Sequence, residues 1–229
     1  MRKIRTVSAG RGLAAVGVSV ALWALFPWTF ATASAGPTSL DALLSEWAVS
    51  PGFRASLTEE RHLALLRAPL ISSGVLAFIP PDRFVRRIAA PVPSLLVIDG
   101  TTLRYEGDGE RGSVDLAGNP LFRVLVAGAR KLFSGESDAL KEAFDVTWMV
   151  EGAPGAGWEI GLRPRQAGLR EHVTRIVLSG RGTTLERLQI VEASGDETRM
   201  QLRDVEMQHA FEAEEIKVLL GTATQSENS

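Results

Sequence analysis

Few side chains in this sequence are arranged to catalyse a reaction or to hold a metal. The 229-residue chain has no cysteine, which removes thiol catalysis, disulfides and cysteine metal sites. Its three histidines, His62, His172 and His209, lie far apart and form neither an HExxH motif nor an i, i+4 pair. No GxSxG motif marks an activated serine. We therefore predict a protein that is not an enzyme and has neither a metal site nor a cofactor.

The glycine-rich and basic stretches do not indicate phosphate or nucleic-acid binding. Gly107–Gly109 and Gly180–Gly182 fit hairpin turns, because neither opens a helix as a phosphate-binding loop does. The net charge of −2 gives no reason to expect a nucleic-acid partner. Apolar residues interrupt the basic run of Arg83, Arg86 and Arg87, which is typical of a solvated strand face. A docking patch for an acidic partner is the alternative for these three arginines.

The N-terminal residues have the features of a secretory signal peptide. Basic residues precede an apolar run over Leu13–Phe30, and Ala31-Thr32-Ala33 and Ala33-Ser34-Ala35 both fit a cleavage site. An uncleaved membrane anchor is the alternative. We predict a leader over residues 1–35 and one mature domain over 36–229, with a loose polar tail over 221–229. The leader holds four basic residues and no acidic one, so its removal changes the net charge from −2 to −6. A cysteine-free exported domain suits a bacterial periplasm.

Alternation of apolar and polar residues predicts about eleven strands. In chain order these are Phe53–Leu65, Leu70–Ile79, Arg83–Ala89, Ser94–Ile98, Thr101–Glu106, Gly112–Leu116, Val146–Val150, Gly157–Leu162, His172–Leu178, Leu185–Ala193 and Thr198–Met207. Helical spacing covers Thr38–Val49, Asn119–Gly135 and Ser137–Phe144, whereas Glu214–Leu220 fits either a helix or a strand. Flat open sheets of this size are rare. The sequence therefore predicts an α+β fold in which one antiparallel sheet curls and apolar helices cover its open side.

The segment from Pro80 to Gly109 lies at the centre of this prediction. It holds three short strands, and Asp99-Gly100 between two of them is a strong hairpin signal, because both residues tolerate positive φ. The predicted strands and helices are strongly apolar, and the chain has five Trp and nine Phe. A filled core and a lined cavity use the same residue types, so periodicity alone does not separate them.

Several strings in order along the chain resemble the outer-membrane lipoprotein carrier family, the LolA-like proteins. Phe53–Thr58 (FRASLT) is similar to the family's F-x-A-x-F-T pattern. Pro81–Phe84 (PDRF), Ala90-Pro91 and Val97–Tyr105 (VIDGTTLRY) resemble its P-x-x-F…x-P…(V/I)-S-D-G-x-x-L-W-x-Y signature. Asn119–Leu121 (NPL), at the start of the central helix, also matches. The resemblance covers nearly all of Leu40–Val218.

This resemblance implies an eleven-stranded incomplete barrel, with helices as a lid over an apolar cavity. Members of the family accept acylated lipoproteins from an inner-membrane transporter in the periplasm and pass them to an outer-membrane acceptor. This chain departs from the family at Pro80, near which a basic residue often latches the lid, and at Arg104, where the signature has Trp. Another hydrophobic ligand, such as a glycolipid or an acylated pigment, is therefore an open alternative.

We predict a monomer whose cavity binds lipoprotein acyl chains or a related lipid. The predicted cavity-lining residues are Phe53, Leu57, Phe78, Phe84, Leu96, Leu103, Leu121, Phe122, Leu125, Trp148, Ile160 and Leu188. Two other functions stay open. One is a module on the same scaffold that senses envelope lipids or docks a partner protein without transporting lipid. The other is a hydrolase, although the sequence shows no catalytic triad.

Overall fold

Eleven β-strands form one antiparallel sheet in the computed structural model, which describes residues 37–116, 131–133, 135, 137–150 and 157–221. All of these residues belong to one compact unit, Ser34–Ser229. The predicted leader, most of the predicted helix Asn119–Gly135 and the predicted turn Glu151–Ala156 lie outside the described residues.

The strands and helices follow the predicted order along the chain. The strands are β1 Phe53–His62, β2 Leu70–Ile79, β3 Arg83–Ala90, β4 Ser94–Asp99, β5 Thr102–Gly107, β6 Glu110–Asp115, β7 Phe144–Val150, β8 Gly157–Pro164, β9 Val173–Arg181, β10 Thr184–Glu192 and β11 Glu197–Glu206. The described helices are α1 Leu40–Ala48, α2 Ser137–Ala143, α3 Ala167–Arg170 and α4 Ala213–Leu219, and residues 131–133 are also helical.

The sheet consists of two meanders. The first is β1–β6 and the second is β7–β11, and they are joined where β1 pairs with β11. Its order is β6-β5-β4-β3-β2-β1-β11-β10-β9-β8-β7, so β1 and β11 lie at the centre and β6 and β7 lie at the two edges. Within the described residues the two edge strands do not pair with each other, and the sheet stays open. This arrangement confirms the predicted α+β fold with a single antiparallel sheet forming an incomplete barrel.

Most predicted boundaries agree with the structure to within two residues. The first helix begins at Leu40 because Ser39 is its N-cap, with Ser39 Oγ accepting a hydrogen bond from the Ala42 N–H at 3.1 Å. The first strand ends at His62 rather than Leu65. The ambiguous segment Glu214–Leu220 forms the helix α4.

The hairpin between β4 and β5 forms, but its turn is one residue later than predicted. Asp99 pairs with Thr102, so the two turn residues are Gly100 and Thr101 rather than Asp99 and Gly100. Gly100 has a φ of +59°, which fits the first central position of a type II′ turn. Arg83 on β3 binds the Asp99 carboxylate at 2.6 Å, and this contact holds Asp99 in the ladder.

A genuine Asp-Gly turn occurs in the next hairpin, between β5 and β6. Gly107 pairs with Glu110, and Asp108 and Gly109 form the turn with φ angles of +53° and +79°. Positive φ at both central residues is the mark of a type I′ turn, which matches the right-handed twist of the flanking strands. The hairpin predicted for Gly107–Gly109 is thus confirmed.

The two faces of the sheet carry separate apolar clusters. We call the face that carries Phe53 and Phe78 the inner face, and buried side chains of α1, α2 and residues 131–133 join its cluster. The opposite, outer face carries Val85 and Val97, which pack with Leu219 of α4. The described helices α1 and α2 therefore lie on the predicted covered side, whereas α4 lies on the other side of the sheet.

Two arginines of the outer face hold the C-terminal end of α4. Arg87 Nη1 donates to the Val218 carbonyl at 3.0 Å, and Arg104 Nη2 donates to the Leu220 carbonyl at 3.2 Å. Cations at this end of a helix satisfy carbonyls that lack an intrahelical partner and interact favourably with the helix dipole. Arg104, which stands where the family signature has Trp, therefore serves to attach α4.

His209 links the start of α4 to the end of β11. Its ring contacts Glu206 through Nδ1 and Glu215 through Nε2, the latter at 2.8 Å, and the ring of Phe211 lies edge-on at 4.5 Å. Arg54 Nε binds the other oxygen of Glu215 at 3.2 Å. The His209 side chain is only 18% exposed, so this histidine belongs to the contact between α4 and β11 rather than to the solvated surface.

We expect this contact to make stability depend on pH. Burial lowers the pKa of His209, but hydrogen bonds and charges from Glu215 and Glu206 outweigh burial and raise the pKa overall. A raised folded-state pKa gives stabilisation that is complete below the unfolded value of about 6.5 and is lost as the pH rises through the folded value. The free energy of unfolding should fall by up to about 1 kcal/mol across this range.

Urea unfolding of the wild type and of His209→Gln between pH 5.5 and 8.5 measures this effect. The variant should lack this part of the pH dependence. Equal pH dependence in the two proteins would contradict the assignment.

Candidate apolar binding site

The inner face encloses an apolar cavity of about 280 Å³. This is near the lower end of ligand pockets, which are roughly 300–1,000 Å³. The cavity is lined by Phe53, Leu76, Ala77, Phe78, Phe84, Leu132, Phe133, Phe144, Leu162, Ile176, Leu178, Leu185, Leu188 and Ile190. All of these residues are apolar, so a ligand would meet them through contact area rather than hydrogen bonds.

Strand register brings three phenylalanines together at one end of this cavity. Phe53 of β1 pairs with Phe78 of β2, which pairs in turn with Phe84 of β3. Phe133, from the helical residues 131–133, stacks on Phe78 with a centroid distance of 4.6 Å, and it lies 5.9 Å from Phe53 and 6.1 Å from Phe84. Phe133 thus covers the row of three phenylalanines that β1, β2 and β3 present on the inner face.

Helix α1 contributes Trp47 to the same cover. The Trp47 ring stacks on Phe133 at 5.5 Å and meets Trp158 of β8 edge-on at 5.7 Å. Its Nε1–H donates to the Thr183 carbonyl at 2.8 Å, in the turn between β9 and β10. Trp47 therefore joins α1, the helical cover and the β8–β10 side of the sheet.

The predicted lining residues that fall in the described part of the chain all lie on the inner face. Phe53, Phe78, Phe84 and Leu188 line the cavity itself. Leu57 and Ile160 are buried in the adjoining core, and Trp148 packs against that core and stacks on Trp158. Leu96 and Leu103 are half-buried on β4 and β5, towards the β6 edge. Leu121, Phe122 and Leu125 lie outside the described residues. Contact of any of them with a ligand stays a prediction.

Sequence reasoning missed most of the cavity wall contributed by the second meander. Ile176, Leu178 and Ile190 occupy alternate positions in predicted strands, so their shared face was visible in the sequence. Which of these residues meet Phe53 and Phe78 depends on the pairing of β1 with β11. The two strands are almost 150 residues apart in sequence, and no local signal encodes their register.

A buried ion pair lies next to the apolar wall. Glu59 of β1 is only 2% exposed, and its carboxylate accepts two hydrogen bonds from Arg86 of β3, at 2.7 Å from Nε and 2.5 Å from Nη2. The predicted solvated strand face is wrong for Arg86, because its partner Glu59 is buried and no local pattern reveals this pair. The register instead places Arg86 on the inner face, opposite Leu76.

Within the described ranges, no group of three His, Asp or Glu side chains is arranged to hold a metal ion. None of the helices found there is long and apolar enough to cross a membrane. The chemistry that this site offers is apolar contact with one adjacent charged pair.

Residues 32–220 match the family model described as outer membrane lipoprotein carrier protein LolA-like, and the chain belongs to this family. It is a family of binding and carrier proteins rather than of enzymes. No curated protein sequence matches the chain.

Solved structures of low sequence identity are similar to this chain. A LolA superfamily protein from Nitrosomonas europaea is 9% identical with a TM-score of 0.38, covering 76% of this chain and 95% of that one. MucB in the MucA/MucB complex of Pseudomonas aeruginosa is 14% identical with a TM-score of 0.35, covering 77% and 60%. LprF from Mycobacterium bovis is 10% identical with a TM-score of 0.32, covering 78% and 100%. These likenesses are distant, and the family assignment rests on the family model.

Proposed function

We propose that this protein is a periplasmic carrier that holds the acyl chains of lipoproteins, or a related lipid, and moves them between the inner and outer membranes. The observation that carries the proposal is the wholly apolar cavity of about 280 Å³ beneath the helices of a LolA-like sheet. In this proposal the leader over residues 1–35 directs export. The mature monomer then takes its cargo from an inner-membrane transporter and delivers it to an outer-membrane acceptor.

The energetics of acyl chains favour a protein carrier. Exposure of a chain to water costs about 0.8 kcal/mol per methylene, or roughly 13 kcal/mol for a chain of about 16 carbons. Spontaneous transfer through water is therefore slow. Phenylalanine and leucine side chains on both the sheet and its cover replace part of that lost contact. They make few directional demands, so binding should tolerate different chains.

A charge introduced into the cavity wall should weaken binding of a fluorescent fatty acid. Ile190 lines the cavity on β10, and the next residue, Val191, is also half-buried but points to the opposite face. We expect Ile190→Asp to raise the Kd for the probe by at least about tenfold, because the apolar site does not solvate a carboxylate. The measurement is a fluorescence titration of purified protein.

Val191→Asp is the matched control, and its Kd should stay within about twofold of wild type. Circular dichroism checks that both variants are folded. Absence of probe binding by the wild type, together with absence of bound lipid in native mass spectrometry, would contradict the proposal. Binding without transfer of labelled lipid between vesicles would instead favour the lipid-sensing or docking module.

A further inference from the structure

The Glu59–Arg86 ion pair lies on the inner face of the sheet, beside residues that line the apolar cavity. Arg86 pairs across the sheet with Leu76 and follows Phe84 by two residues on the same face of β3, and both Leu76 and Phe84 line the cavity. On the other side, Glu59 pairs with Met200 of β11, which packs against the inner-face core. Arg86 is thus the charged residue of β3 that shares the inner face with Phe84.

The accessible part of this pair belongs mainly to Arg86, whose guanidinium is a hydrogen-bond donor. The side chain of Arg86 is 25% exposed, whereas that of Glu59 is 3% exposed. A guanidinium has five N–H donors, and Glu59 engages Nε and Nη2. In the part of the chain that the structure describes, Arg86 has no acceptor besides Glu59. The Nη1 edge is therefore available to an acceptor that a ligand brings.

The adjacent carboxylate determines which ligand chemistry suits this edge. Because Glu59 neutralises most of the charge of Arg86, the edge acts as a directional hydrogen-bond donor beside an apolar cavity. An acyl group carries the matching acceptor at the end of its chain, as the carbonyl of an ester or amide or as a free carboxylate. Arginine presents its donors in a rigid planar fork, which fixes the orientation of such a group.

We propose that Arg86 binds the carbonyl or carboxylate oxygen of an acyl group whose hydrocarbon chain occupies the cavity. Glu59 acts as a positioning residue, since it holds the guanidinium in place and leaves its outer edge free. This inference rests on the proposed carrier function and deepens it. It gives the bound chain a direction, with its polar end at Arg86 on β3 and its methyl end towards the lining residues of β9 and β10, such as Ile176 and Ile190.

A competition assay tests the contribution of the ligand oxygen. Dodecanoic acid, methyl dodecanoate and dodecane each displace the fluorescent probe N-phenyl-1-naphthylamine from purified full-length protein. In Glu59→Met/Arg86→Leu, the affinity for the acid or the ester, relative to dodecane, should fall about tenfold from its wild-type value, as expected for one hydrogen bond to a charged group. The affinity for dodecane should not change. If the relative affinity falls for the acid alone, the group that Arg86 binds is a carboxylate. If it falls for both the acid and the ester, the group is a carbonyl.

Arg83→Leu/Asp99→Met is the matched control. It removes an arginine–carboxylate pair of similar geometry, at 2.6 and 3.0 Å, from the opposite face of the same strand. Its relative affinities should equal those of the wild type. If Glu59→Met/Arg86→Leu does not fold, Glu59→Gln/Arg86→Met provides the same comparison. Unchanged relative affinities in the Glu59/Arg86 variant would overturn the inference while leaving the carrier function intact. Failure of the probe and all three chains to bind wild-type protein would overturn both.

Discussion

Trp47→Ala should lower the free energy of unfolding by about 3–5 kcal/mol, as is usual when a large buried aromatic side chain is truncated. Trp47 is 2% exposed and contacts both Phe133 of the helical cover and Trp158 of the sheet. The substitution opens a cavity between these two layers and leaves the Thr183 carbonyl without its donor. Urea unfolding followed by circular dichroism measures the loss.

Two further variants separate the causes of this effect. Trp47→Phe keeps an aromatic ring but removes the donor to Thr183, and it should cost about 1–2 kcal/mol. Glu46→Ala, on the exposed side of the same helix, should change stability by no more than about 0.5 kcal/mol. A loss below about 1 kcal/mol in Trp47→Ala would show that α1 is not part of the cooperative core.

The number and order of strands could be predicted because each is encoded locally. Phe53, Ala55 and Leu57 alternate with polar residues, and all three are buried in β1. Glycines mark the turns: Gly182, like Gly100, has the positive φ that a tight hairpin requires. The one-residue error at Asp99 arose because turn propensity alone does not show which residues enter the ladder, and Asp99 pairs with Thr102.

The side of the sheet on which a segment packs was harder to predict. The apolar residues of α4, Ile216 and Leu219, would fit either face, and α4 packs on the outer one. Its location depends on Arg87 and Arg104, which bind the carbonyls at its C-terminal end. The contact of His209 with Glu206 and Glu215 could not be predicted for the same reason, since these two carboxylates come together only when α4 returns to β11.

The candidate site shows the same division between local and long-range information. The sequence located the inner-face positions, because alternation fixes which residues share a face once a strand is recognised. It did not show that Arg86 takes an inner-face position, since a charged residue in a strand is normally assigned to the solvated side. Arg86 takes this position because it pairs with Glu59, whose carboxylate is buried on the inner face two strands away.

Arg86→Leu alone should lower the free energy of unfolding by about 3–5 kcal/mol, because it leaves the Glu59 carboxylate buried without a partner. Glu59→Met/Arg86→Leu should restore stability to within about 1 kcal/mol of the wild type, since apolar replacement of both members of a buried pair is often neutral. Urea unfolding of the two variants beside the wild type gives this difference directly.

A double variant as unstable as Arg86→Leu would mean that the pair itself holds β1 and β3 in register. The expected recovery would instead mean that the fold does not need these two charges. Ligand binding by the Arg86 guanidinium would then explain why the two charges lie beside the cavity. Removal of the pair would change ligand affinity rather than stability.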